Sequence, residues 1–94
     1  MNFQSKVIKY LEEQGYYVIN LIRTNKNGIA DLIALKDGSV IFVECKAKGD
    51  TVKPLQLLRG LEVSNAGAQF FIANEVEDWQ KNISTRTPSD LPIL

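Results

Sequence analysis

Ninety-four residues, 45% hydrophobic and 23% charged, leave room for one small core, so residues 1–94 read as a single domain. Eleven Lys and Arg balance eleven Asp and Glu, so any attraction to a polyanion has to be local. The lack of His excludes Ser-His-Asp and Cys-His catalysis, His-ligated zinc and imidazole proton shuttles, and a single cysteine excludes an internal disulfide or a Cys-only zinc cluster.

Val7, Ile8, Tyr10 and Leu11 recur at three- and four-residue spacing between Ser5, a candidate N-cap, and Gly15, which predicts a first helix with Lys6, Lys9, Glu12 and Glu13 on its polar face. Residues 16–22 are rich in aromatic and β-branched side chains and predict a strand that runs into the polar loop 23–28. Residues 29–36 and 39–46 are two further strands joined by Asp37-Gly38, a dipeptide suited to a type I′ turn because both positions need positive φ. In that hairpin Lys36 faces Ser39, and opposed residues have numbers adding to 75. Both faces are then apolar, Ile33, Leu35, Val40 and Phe42 on one, Leu32, Ala34, Ile41 and Val43 on the other, which places the hairpin mid-sheet with helices on either side.

Pro54 opens a second helix with Leu55, Leu58 and Leu61, ending near Asn65-Ala66-Gly67, and Gly60 either weakens it or permits close packing. Residues 68–73 read as a fourth strand, which a right-handed crossover lays parallel to strand 39–46. Residues 75–83 suggest a short last helix, followed by an irregular tail with Pro88 and Pro92.

The chemistry lies in the hairpin. Its register sets Asp31 across from Glu44, with Cβ atoms roughly 4.5 to 5.5 Å apart on a face otherwise apolar, where two like charges need an opposite one. Mg²⁺ would supply it, because this ion takes hard oxygen ligands from one or two carboxylates and waters, and the main-chain carbonyl of Cys45 can add another. Lys46, two residues beyond Glu44, points to the same face and can reach a scissile phosphate or an attacking water. Gln56, in the first turn of the next helix, can position that water or reach the lysine. Two carboxylates, a cation and a lysine make a hydrolytic site that requires no His. The competing reading of the same residues is an ion-pair cluster at a solvated sheet edge.

Gly28-Ile29-Ala30-Asp31, then Val43-Glu44-Cys45-Lys46, then Gln56, resembles the PD-(D/E)XK nuclease superfamily and, within it, the small stand-alone VRR-NUC nucleases of phages and bacteria. The resemblance covers most of the chain and implies a restriction-endonuclease-like αβββαβ core, with a mixed four-stranded sheet flanked by helices. It further implies a Mg²⁺- or Mn²⁺-dependent endonuclease acting on DNA, with Asp31 and Glu44 as metal ligands, Lys46 in catalysis and Gln56 near the site. Likeness to Holliday-junction resolvases implies a homodimer acting on branched DNA. Two positions depart from the family pattern: Ala30 stands where Pro is common, and Gln4 is the nearest polar residue where the first helix often starts with Glu.

Lys6, Lys9, Arg23, Lys26, Lys48, Lys53 and Arg59 flank the candidate site and can contact DNA phosphates, whereas Trp79, Phe70 and Phe71 read as core. No apolar run approaches the ~20 residues that span a bilayer, and Met1 to Lys6 has no export-type apolar stretch, so a cytoplasmic protein, without a membrane, is expected, and the resemblance implies that the cytoplasm is that of a bacterial or phage-infected cell. Two other readings stand beside the nuclease: a nuclease-fold DNA-binding module with weak or no catalysis, and a plain α/β interaction protein.

Overall fold

In the computed structural model, which describes residues 1–84, Asp37 and Gly38 take φ values of 50° and 80°. Both are positive, as a two-residue type I′ turn demands. The turn joins β2 (Leu32–Lys36) to β3 (Ser39–Lys46), and the antiparallel ladder runs from Lys36 opposite Ser39 to Leu32 opposite Val43, the expected register. An edge strand β1 (Tyr17–Asn20) pairs antiparallel with β2. Beyond β3, the helix α2 (Pro54–Asn65) carries the chain over to β4 (Gln69–Asn74), which lies parallel to β3. The sheet order is β1-β2-β3-β4, so the hairpin is central and the sheet mixed, with α1 (Phe3–Glu13) and α3 (Trp79–Ser84) completing the αβββαβ core and its extra helix.

Strand alternation separates two unequal faces. On one, Leu32, Ala34, Ile41, Val43, Phe71 and Ala73 bury against Phe3, Val7 and Leu11 of α1 and Ile83 of α3. Trp79 packs edge-on between Phe3 and Tyr10, with ring centroids 5.6 and 5.3 Å away. The other face holds Ile33, Leu35, Val40 and Phe42, all half-buried, and α2 lies over its β4 side. Gly60 is the contact point there: a Cβ at this position would lie 2.6 Å from two Phe70 ring carbons, so close packing is its role. Phe71 is thus core and Phe70 lies beneath α2 on the opposite face.

Several boundaries differ from expectation, among them β4, expected over 68–73 and found at Gln69–Asn74. The first helix is capped by Asn2, whose side-chain oxygen accepts from the Ser5 N–H at 2.8 Å, not by Ser5; the helix gains Phe3, which is buried in the core. The strand after it stops at Asn20. Asp31 lies outside the β2 ladder, because its side chain accepts the Cys45 N–H while its main-chain carbonyl accepts from Leu21 N–H at 2.8 Å. It therefore does not face Glu44 as a ladder pair; the ladder ends one pair earlier. The last helix starts at Trp79, after a turn in which Val76 N–H donates to the Asn74 side chain. The tail with Pro88 and Pro92 is outside the described residues.

Candidate active site

The N-terminal end of β2, the C-terminal end of β3 and the first turn of α2 converge, and they bring Asp31, Glu44, Lys46 and Gln56 together. Because β3 alternates, Glu44 and Lys46 share its α2-facing side, and the Lys46 Nζ lies 3.1 Å from Glu44 Oε2. Gln56 Nε2 donates to the same oxygen at 2.9 Å. The other end of that amide accepts the Lys53 N–H at 2.9 Å, closing the start of α2 from its third position. One side chain thereby caps a helix and grips a carboxylate, with its oxygen and nitrogen assigned by their partners. Asp31 is held from the main chain, Oδ2 accepting the Cys45 N–H at 2.8 Å.

Glu44 is 3% exposed and Lys46 6%, so this is a buried ion pair. Burial pushes the Glu44 carboxyl above its ordinary value, and the Asp31 and Asp50 charges add to that, while the ammonium of Lys46 opposes it. Cys45 is pushed up to about 12 by burial and by the Asp31 and Glu44 charges. Its sulfur is a neutral thiol at physiological pH, which leaves the main-chain carbonyl as the only donor it offers a hard cation.

The donor set fits a small divalent ion. Two carboxylates, close enough that the Asp31 charge raises the cost of ionising Glu44, each with one oxygen already held by a protein donor, present hard oxygens in a fixed orientation. Among the described residues no group of three or more Asp, Glu, Cys or His side chains assembles, so an ion here would complete its shell with carbonyl and water oxygens.

The flanking cations fall into two sets. Lys6 and Lys9 are exposed on α1 and line a groove with Tyr10 and Trp79; Arg23 and Lys26 are exposed on the β1–β2 loop beside a polar recess; Lys48 and Lys53 are exposed between β3 and α2. Arg59 is different, since its Nε donates to the Asn27 carbonyl at 2.7 Å and a terminal nitrogen pairs with Glu62 at 2.8 Å. It ties α2 to the β1–β2 loop instead of standing free for a phosphate.

Two residues make contacts that escaped sequence reasoning. Gln4 donates to the Asn20 side chain at 3.0 Å, joining the first turn of α1 to the end of β1. Glu75 closes the far side, its N–H donating to the Lys46 carbonyl at 2.9 Å and its carboxylate accepting the Lys48 N–H at 2.9 Å. A polar residue ending a strand carries no local signal for such a partner. Gly28, quoted above as part of a motif, has φ +77°, and a Cβ there would lie 2.6 Å from Leu55 Cγ, so this loop can approach α2 only as glycine.

A family model described as restriction endonuclease (Mrr_cat) matches residues 1–76, a span that holds all four clustered side chains. A protein named "Putative nuclease p44", from Acyrthosiphon pisum secondary endosymbiont phage 1, is 28% identical over 72 residues, covering 76% of this chain and 77% of that protein. A UPF0102 protein of Sulfurihydrogenibium sp. (strain YO3AOP1) is 39% identical over 46 residues, 49% of this chain and 40% of that protein. Among solved structures, a VRR_NUC domain superposes with a TM-score of 0.71 at 26% identity, covering 93% of this chain and all of that one. The chain belongs to the restriction endonuclease family, as a PD-(D/E)XK-like nuclease of the VRR-NUC kind.

Proposed function

We propose that this nuclease is a Mg²⁺- or Mn²⁺-dependent endonuclease that hydrolyses phosphodiester bonds of branched DNA, in the cytoplasm of a bacterial or phage-infected cell. The observation that carries the reading is the buried Glu44, gripped by Lys46 and Gln56 beside Asp31. Asp31, Glu44 and the Cys45 carbonyl would hold the ion, which supplies positive charge to the phosphoryl oxygens and acidifies water. Lys46 carries the catalytic ammonium, placed to orient the attacking water or to donate to a phosphoryl oxygen as charge grows there. Gln56 and the Cys45 N–H keep the carboxylates oriented, and Lys6, Lys9, Arg23, Lys26, Lys48 and Lys53 contact phosphates. Residues 1–94 act as one domain, and two copies cut two strands.

A labelled four-way junction and a linear duplex of the same sequence, incubated with Mg²⁺, Mn²⁺ or EDTA, test this directly. The expected result is nicking of the junction only with a divalent ion, lost in Asp31→Ala, Glu44→Ala and Lys46→Ala proteins that retain their circular dichroism. Undiminished cutting by Glu44→Ala would defeat the assignment. One observation favours a second reading, a DNA-binding module with weak catalysis: the α1 position that would bring a further acidic group is Gln4, and its amide is engaged by Asn20. Junction binding with no cutting in either metal would support that alternative.

A further inference from the structure

Ile22 is 88% exposed, the highest value for a large apolar side chain among the described residues. Single apolar residues in water are common, so exposure alone decides nothing; the setting does. The β1–β2 loop that carries Ile22 is tied down along its length. Leu21 N–H donates to the Asp31 carbonyl at 2.8 Å and Ile22 N–H to the Asn20 carbonyl at 3.1 Å. The Thr24 hydroxyl accepts the Lys26 N–H and donates to the Lys26 carbonyl, each at 3.1 Å, and the Asn27 carbonyl is held by Arg59. Gly28 then lays the loop against Leu55 of α2. Ile22 is therefore held in water by a braced loop, next in sequence to the Leu21 that bonds a candidate metal ligand.

The charge of the loop selects the partner. Residues 21–30 contain Arg23 and Lys26, both exposed, and no acidic side chain, and with Thr24 and Asn27 they line a polar recess beside Ile22. Cations on the backbone and an apolar side chain between bases form the combination by which proteins unstack and kink a duplex. We infer that Ile22 is a wedge: it enters the stack of base pairs at a DNA branch point, while Arg23 and Lys26 hold the flanking phosphates, and so presents a strand to Asp31. The inference rests on the nuclease reading and gives its preference for branched DNA a physical source. Parting a continuous stack costs the full stacking energy of a step, whereas a branch has already given part of it up. Structure is thereby selected with no base edge read, in keeping with a loop whose charged side chains are both cations.

A four-way junction carrying 2-aminopurine in the base pair next to its branch point, titrated with the full chain in EDTA, reads the wedge without any cutting. Fluorescence is expected to rise on saturation with the unmodified protein and with Ile22→Phe, and to stay at the free-DNA level with Ile22→Ala. The alanine protein should keep its melting temperature, because the side chain it loses is exposed. Cutting in Mg²⁺ should show the counterpart: Ile22→Ala slowed about tenfold on a fully paired junction, and unslowed on a junction with mismatched pairs at the branch, where the stack is already open. No rise with the unmodified protein, an equal rise with Ile22→Ala, or an Ile22→Ala protein that is unslowed on the paired junction or slowed equally on both would overturn the inference. Failure here and failure of the nuclease reading are separable: a chain that opens the branch and cuts in neither Mg²⁺ nor Mn²⁺ defeats the catalytic reading alone, and one that cuts without opening it defeats the wedge alone.

Discussion

At Glu44, a carboxylate is held out of water between an ammonium and an amide, and burial together with Asp31 outweighs the help it receives from Lys46. The native state therefore binds a proton at this residue more readily than the unfolded chain does. Its stability contribution is largest below the ordinary value of 4.5 and is lost as pH rises through the raised one. In EDTA, the melting temperature is expected to fall as pH climbs above 4.5. Glu44→Gln should lose this component of the pH dependence, at a lower baseline, because Lys46 then keeps a buried charge without a counterion. Lys46→Met should move the same fall to higher pH, since the group that lowers the Glu44 value is gone. Thermal melts across pH check all three, and a Glu44→Gln protein with an undiminished pH slope would contradict them. Gln56→Ala removes a helix cap and a carboxylate donor together, so a loss of about 1–3 kcal/mol in denaturant unfolding should accompany the loss of cutting.

Among the elements, α2 shows how a single position can override intrinsic preference. Replacing Gly60 by Ala adds about 1 kcal/mol of helix propensity, yet the new methyl would sit 2.6 Å from the Phe70 ring. Overlap should win, and Gly60→Ala should be destabilised by about 1–2 kcal/mol in urea titrations. From the sequence both roles of this glycine stood open, because the deciding partner lies on a strand ten residues away. The hairpin was legible because its determinants are local: Asp37 and Gly38 encode the turn, and the turn sets the register from Lys36 to Leu32. The end of that ladder was not, since Asp31 leaves it by a side-chain bond to Cys45 that no alternation pattern announces. The start of α1 misled for a related reason. Asn2 and Ser5 are both competent caps, and only the burial of Phe3 chooses between them.

For the molecule as a whole, residue order along the chain was enough to indicate which groups would gather, since topology brings the start of β2, the end of β3 and the start of α2 to one end of the sheet's central strands. It was not enough to show how they are held. The Gln56 amide, expected near water or the lysine, grips the Glu44 oxygen that Lys46 also contacts, and Arg59, expected to meet phosphates, fastens a loop. Both depend on distances across space that spacing along the chain does not contain. The remaining cations are exposed, so their contribution to DNA binding should be electrostatic and indifferent to sequence. Binding measured by fluorescence anisotropy in EDTA should weaken linearly in a plot of log affinity against log salt. Lys26→Ala and Lys48→Ala should each lower that slope by about 0.9, whereas a slope unchanged in both would remove these lysines from the interface.

The Asp37-Gly38 tip stands at the opposite end of the hairpin from Asp31, Glu44 and Lys46, about five to eight residues of strand away, or roughly 20 Å. A Cβ at Gly38 would meet nothing within 4 Å. This tip is accordingly a handle for labelling: a short epitope or dye-bearing insertion there would report on the protein, or tether it to a surface, from the pole remote from the candidate site.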